Sequence, residues 1–197
     1  MSKPLSKVTP AKRTLILIAA ILSATLCHAG APDPAIPPNA FQQQIYTALT
    51  GSWTGQLEYR DFQSDKHVAL PTWLEVKPVS DGKSLQFVYT YDDGPTKTVT
   101  EISTVNIDPA AHRYVVTSDR DHSADTYQIR ALDPLKNGGY QLTLTGTGTE
   151  NDQPVDVRIT ITIDRNIYRF KKETRTQGQN FNFRDGYTLT RRDPATH

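Results

Sequence analysis

Apolar and polar residues alternate with a period of two along most of this chain. The clearest run sets Val155, Val157, Ile159, Ile161 and Ile163 on one face and Asp156, Arg158, Thr160, Thr162 and Asp164 on the other. Side chains of a β-strand point to opposite faces in turn, so this is a strand with one dry side and one wet side. The same alternation groups Leu85, Phe87, Tyr89 and Tyr91 against Gln86, Val88 and Thr90, and Trp53, Gly55, Leu57 and Tyr59 against Thr54, Gln56, Glu58 and Arg60. Near the C-terminus Phe181, Phe183, Tyr187 and Leu189 fall together. Ten strands are predicted in this way, over 53–62, 67–78, 83–92, 96–107, 112–118, 122–131, 139–149, 154–164, 167–176 and 181–191.

The segments between them are short and carry turn residues: Ser80-Asp81-Gly82, Asp92-Asp93-Gly94-Pro95, Asp108-Pro109, Asp133-Pro134 with Asn137-Gly138-Gly139, Asp164-Arg165-Asn166 and Gln177-Gly178-Gln179. None is long enough for a crossover helix, so neighbouring strands are expected to be antiparallel hairpins. Hairpins in series close into a barrel or stack as a sandwich, and closure is the arrangement that leaves no exposed edge. The predicted fold class is therefore all-β, an antiparallel up-and-down closed barrel of about ten strands. Ahead of it, Asn39 can cap a short helix over 40–49, with Gly51 as its stop.

The N-terminus departs from this pattern. Lys3, Lys7, Lys12 and Arg13 precede an apolar run from Leu15 to Leu26, and Cys27-His28-Ala29 places small residues for cleavage after Ala29. This is the layout of a signal peptide, and the run is shorter than the ~20 residues a spanning helix needs. Lipidation of Cys27 is the competing reading; Leu26 and Ala24 occupy positions where that signal asks for a small residue and a leucine. The expected organisation is a signal peptide over 1–29, a Pro-rich linker over 30–38, a β-barrel domain over 39–192 and a tail over 193–197. Export to the periplasm or beyond is checked by mass spectrometry, with a mature N-terminus at Gly30 as the expected result.

Cleavage changes the composition. Cys27 is the single cysteine, so the mature chain would have neither disulfides nor thiol chemistry. Lys and Arg number 22 against 21 Asp and Glu; losing four basic residues leaves 18 against 21, a net charge of −3. That balance gives no support for a nucleic-acid partner, and no other long apolar run predicts a membrane span.

Gly51-Ser52-Trp53-Thr54-Gly55 resembles the opening strand of the calycins: lipocalins, fatty-acid-binding proteins and nitrobindin-like barrels. In those proteins a G-x-W begins the first strand after a short helix that plugs the barrel floor, and an Arg or Lys near the end of the last strand covers the Trp. The resemblance spans the architecture from about Ala40 to Arg191 and implies that Trp53 and Arg191 form a structural floor. Parity agrees, because Arg191 alternates in step with Leu189 and Tyr187. Arg184 has the opposite parity and is expected to face outward and tolerate substitution. Heme-binding nitrobindin-like proteins carry an iron-ligating His on their C-terminal strands. Here no His stands between His122 and His197, so no heme or other cofactor is expected.

Chemical motifs are sparse. His67, His112 and His122 fall at strand starts far apart, without the close pairs of a zinc site, so no metal is expected. There is no G-x-S-x-G and no phosphate-binding loop; Gly146-Thr147-Gly148 lies within a strand and reads as a bend or bulge. No catalytic residue is assigned, which weighs against an enzyme without closing that question. The loops at the open end carry Asp61, Asp92, Asp93, Asp119, Asp121, Glu150 and Asp152, interleaved with Arg60, Lys66, Lys97 and Arg120. This is either ordinary turn chemistry or an acidic rim that attracts a cationic group.

The inward aromatics Trp53, Tyr59, Phe87, Tyr89, Tyr91, Tyr127, Tyr140, Phe183 and Tyr187 either pack a solid core or line a cavity. Buried tyrosine hydroxyls need partners, which suits a cavity holding water or an amphipathic molecule. Two functions follow. One is an exported lipocalin-like binding protein for a small apolar or amphipathic ligand, with Tyr59, Phe87, Tyr89, Tyr91, Tyr127, Phe183 and Tyr187 as ligand-binding residues. The other is an envelope interaction or scaffold protein with a solid barrel core and no enzymatic activity, whose protein partner the sequence does not name.

Overall fold

The computed structural model describes residues 38–61, 64–136 and 138–192. The expected signal peptide, the linker up to residue 37 and the tail over 193–197 lie outside the described residues.

One helix and ten strands follow in order: α1 (Pro38–Leu49), β1 (Gly51–Arg60), β2 (His67–Pro78), β3 (Leu85–Asp92), β4 (Thr98–Asp108), β5 (Arg113–Ser118), β6 (Ala124–Pro134), β7 (Tyr140–Glu150), β8 (Gln153–Asp164), β9 (Ile167–Arg175) and β10 (Asn182–Arg191). All neighbours pair antiparallel, and β10 closes on β1 to complete a barrel. The helix starts at Pro38, assigned above to the linker. Proline is favoured in the first helical turn, where its missing N–H would have had no partner.

Helix α1 plugs one end. Ile45, Tyr46 and Leu49 form its buried stripe and join the core. The Tyr46 hydroxyl accepts a hydrogen bond from the Ile107 N–H at 3.0 Å and donates to the Lys83 carbonyl at 2.6 Å, tying the helix to β4 and to the β2–β3 turn. Directly above the plug, Trp53 is 1% exposed and donates from Nε1 to the Leu49 carbonyl at 2.9 Å. Arg191 is its register partner across β1 and β10, with the guanidinium carbon 4.1 Å from the indole centroid. Its Nη1 and Nη2 donate to the Thr50 and Ala48 carbonyls at 2.7 and 2.6 Å. One arginine therefore covers the indole and satisfies carbonyls at the helix C-terminus, where a cation is electrostatically favoured.

Two departures from simple alternation shape the other end. Between Phe183 and Asp185 the β9–β10 register shifts by one residue, with Arg184 as the extra residue of a β-bulge. The shift turns Phe183 out of the inward set. Its ring stacks on outward-facing His67 at 5.2 Å, and Phe181 lies between the guanidinium groups of Arg158 and Arg175. The expectation that Phe181 and Phe183 face inward with Tyr187 is thereby corrected. Arg184 is likewise no tolerant surface residue: its side chain is 19% exposed, donates to the Arg60 carbonyl and pairs with Glu150 at 3.3 Å.

The second departure is strand length. β4 pairs with β5 only from Ser103 toward the floor, and β7 pairs with β6 only up to Thr145. Thr98–Ile102 therefore run on past the end of β5, which lowers the wall there, while Gly146–Thr149 run beside Ala124–Tyr127 without ladder pairing.

Candidate functional site

The barrel interior divides by height. Near the plug, Leu74, Leu85, Ile107, Leu142, Ile163 and Leu189 are almost wholly buried and leave no room for a ligand. Toward the open end the inward positions are taken by tyrosines and charged residues, which do not fill the space. A cavity of about 180 Å³ lies inside, between Phe87, Tyr89, Tyr127, Tyr168, Phe170 and Tyr187. It is roofed by two wider openings. One, of about 370 Å³, lies between β1–β4 and β10 and includes Leu57, Tyr59, Tyr91, Glu101, Asp185 and Tyr187. The other, of about 530 Å³, faces the low wall and includes Tyr89, Tyr91, Glu101, Val116 and Tyr187. Tyr187 lines all three spaces.

Tyr89, Tyr91 and Tyr187 make one aromatic stack. Tyr89 and Tyr187 have centroids 4.8 Å apart with planes at 28°, and Tyr89 and Tyr91 are parallel at 6.1 Å. Phe170 closes on Tyr187 edge-on at 5.7 Å. The Tyr91 hydroxyl donates to Glu101 Oε2 at 3.1 Å and lies 2.8 Å from the Tyr187 hydroxyl. Tyr91 has one proton, and Glu101 takes it. Tyr187 is therefore the donor to Tyr91, and the chain runs Tyr187 to Tyr91 to Glu101. Burial raises the pKa of Tyr89, Tyr91, Tyr168 and Tyr187, so they remain neutral donors at physiological pH.

Charged side chains also enter the interior. Asp185 follows the bulge, pairs in register with Tyr59 and Lys172, and lines the inner cavity with Lys172 and Asp125. Burial raises its pKa, Lys172 and Arg184 partly offset this, and Glu150 adds to it. A raised folded-state pKa means that Asp185 favours the fold at low pH, and this contribution is lost as pH rises through that pKa. Asp185→Asn is accordingly expected to raise the melting temperature at about pH 7.5 and to leave it nearly unchanged at about pH 3, where the aspartate is protonated in both states. A lower melting temperature at neutral pH would show that attraction to Lys172 outweighs burial.

Of the residues assigned from sequence, Tyr59, Phe87, Tyr89, Tyr91, Tyr127 and Tyr187 all line these spaces. Phe183 does not; it lines a separate outer depression with Arg60 and Asp65. Tyr140 belongs to the plug, edge-on to Phe41 and donating to Gln44 Oε1 at 2.7 Å. Gly146 makes room for an interior ring, since a Cβ there would meet the Tyr127 ring at 2.7 Å. The rim carboxylates mostly order their own turns. Asp61 accepts from Ser64, Asp92 from the Gly94 N–H and Asp121 from Ser123, while Asp93 pairs with Lys97. The Ser123 bonds hold Asp121 at a pKa of about 2. Glu101, Lys172 and Asp185 were not singled out from sequence, although parity marks them: Glu101 alternates with Ser103, Val105 and Ile107, and Lys172 with Tyr168 and Phe170.

No family model matches the chain, and no curated protein is similar to it. Nine chains among solved structures match. Rv2717c from M. tuberculosis aligns with a TM-score of 0.54 and 15% identity, covering 77% of this chain and 98% of that one. The likeness is one of fold. A protein of unknown function from the DUF3598 family of Nostoc punctiforme matches over 76% of this chain and 98% of its own, at 7% identity and a TM-score of 0.23, too low to carry an argument.

Proposed function

We propose that this protein is an exported, calycin-like barrel that binds a small amphipathic molecule in its open half. The observation that carries this reading is the division of the interior: an apolar floor sealed by α1, Trp53 and Arg191, and above it an inner cavity with Tyr89 and Tyr187 in its wall and two openings that Tyr91 lines with Tyr187. Aromatic walls with a few convergent polar groups are the usual make-up of a small-molecule site. The rings bury an apolar body, and the hydroxyl chain ending on Glu101 orients a polar group. A purely apolar molecule would bury Asp125, Asp185 and Lys172 against an apolar surface, so the occupant has a polar end.

The test is a fluorescence titration with N-phenyl-1-naphthylamine, an apolar probe with one N–H. The wild type is expected to bind it saturably at one site. Tyr187→Ala is expected to weaken binding by roughly tenfold, as for loss of a large aromatic contact. Phe183→Ala, which changes only the outer face, is expected to leave affinity unchanged. Absence of saturable binding by folded wild type would leave the scaffold reading in its place.

A further inference from the structure

The charge around the cavity is uneven, with carboxylates outnumbering cations in each space. The opening toward β1–β4 is lined by Asp93, Glu101 and Asp185 against Arg184. The opening over the low wall has Glu101, Asp119 and Asp121 against Arg120. The inner cavity has Asp125 and Asp185 against Lys172. Arg184 is bound to Glu150 and to the Arg60 carbonyl, and Lys172 faces Asp185 across β9 and β10. Among the carboxylates, Asp93 is paired with Lys97 and Asp121 with Ser123. Glu101, exposed at the rim of β4, joins none of the ion pairs among the described residues, as is also true of Asp119, Asp125 and Asp185; what distinguishes its place is that its partner is the Tyr91 hydroxyl of the aromatic stack, and that it lines both openings.

We propose that the cavity selects an organic cation, an amine or amidinium on a flat apolar body, with its charged head at Glu101 beside Tyr91 and Tyr187. This deepens the binding reading above and rests on it. Tyrosine faces carry negative charge density and attract a cation, and the attraction grows as water is excluded. Glu101 supplies the full counter-charge at the same place, within hydrogen-bond distance of Tyr91. An anionic occupant such as a fatty acid would meet Glu101 and Asp185, with Lys172 as the one cation lining the inner cavity and Asp185 beside it. A neutral occupant would leave Glu101 without a counter-ion. The cationic head completes the charge balance, while Tyr89, Phe170 and Tyr187 offer apolar area to the body.

The experiment compares three probes with one ring system: (naphthalen-2-ylmethyl)trimethylammonium, 2-naphthylmethanol and 2-naphthylacetate. Binding to the full chain is read from naphthalene fluorescence anisotropy. The cation is expected to bind about tenfold or more tightly than the alcohol, and the acetate more weakly than either. Raising the salt concentration is expected to narrow the cation's advantage in the wild type, which reads the electrostatic contribution without any substitution. Glu101→Gln, checked for its fold by circular dichroism, is expected to bring cation and alcohol to within about threefold while leaving the alcohol's affinity in place. Saturable binding of all three probes without preference for the cation, or tightest binding of the acetate, would overturn the proposal and leave the binding reading intact. Failure of every probe to saturate would overturn both. A full cation preference retained in Glu101→Gln would overturn the assignment of the head to Glu101.

Discussion

Replacing Trp53 by alanine is expected to cost about 3–5 kcal/mol of folding stability, a large part of the total for a domain of this size. Four losses coincide. The indole is 1% exposed, so its removal opens a cavity between the plug and the lower core. The Leu49 carbonyl at the helix C-terminus loses the Nε1–H donor. The Arg191 guanidinium loses the ring that it covers at 4.1 Å, and Tyr168 loses a tilted ring neighbour at 6.0 Å. Urea unfolding followed by far-UV circular dichroism measures the effect. Arg191→Ala is expected to cost about 2 kcal/mol, since it removes the stack and both charge-assisted bonds to the Ala48 and Thr50 carbonyls. In the Trp53→Ala background the arginine substitution should cost about 1 kcal/mol less, because the two residues act on one another. A loss below about 1 kcal/mol for Trp53→Ala would contradict the floor as described.

Gly55→Ala is expected to be nearly as damaging, by a different route. Gly55 is an inward position of β1, where alternation alone would place a large apolar residue. A Cβ there would lie 2.1 Å from the Thr188 carbonyl oxygen and 3.0 Å from the Leu189 Cα, both backbone atoms of β10. No rotamer change relieves contact with backbone, so β10 has to move away from β1 at the strand pair that closes the barrel. The expected cost is about 3 kcal/mol, at the upper end for overpacking. Gly148→Ala is the control: it also lies in a strand, but its nearest neighbour is a Val157 methyl at 3.4 Å, and it should cost under about 1 kcal/mol. Equal effects of the two substitutions in the urea assay would contradict this close approach of β1 and β10.

Much of the architecture was legible in sequence because alternation and turn residues are local signals. The run from Val155 to Ile163 defines β8 by itself, and Asn151-Asp152, both at positive φ, form the tight turn that joins β7 to β8. Closure could be argued too, since antiparallel hairpins in series make the first and last strands neighbours and set Trp53 beside Arg191. The bulge at Arg184 was not legible. One inserted residue leaves the apolar spacing of Phe181, Phe183 and Tyr187 unchanged while reversing which face the phenylalanines occupy. The division of the interior was legible only as an ambiguity, because whether tyrosines pack or leave space depends on how rings from distant strands meet. Glu101, Lys172 and Asp185 stood at inward positions, yet an ionisable residue in an alternating strand gives no sign of its height in the barrel. That height follows from register, which places Glu101 opposite Tyr89 and Asp185 opposite Tyr59.

The central claim is a barrel closed at the Trp53 end and open to a ligand at the Tyr187 end. Its most direct test is a titration of the isotopically labelled protein with N-phenyl-1-naphthylamine, followed by amide and indole N–H correlation spectra. The account predicts saturable shifts at Tyr89, Tyr91, Glu101, Asp185 and Tyr187, with the Trp53 indole signal, held by the Leu49 carbonyl, unmoved. Shifts centred on Trp53 and α1, with the Tyr89–Tyr187 region silent, would contradict it.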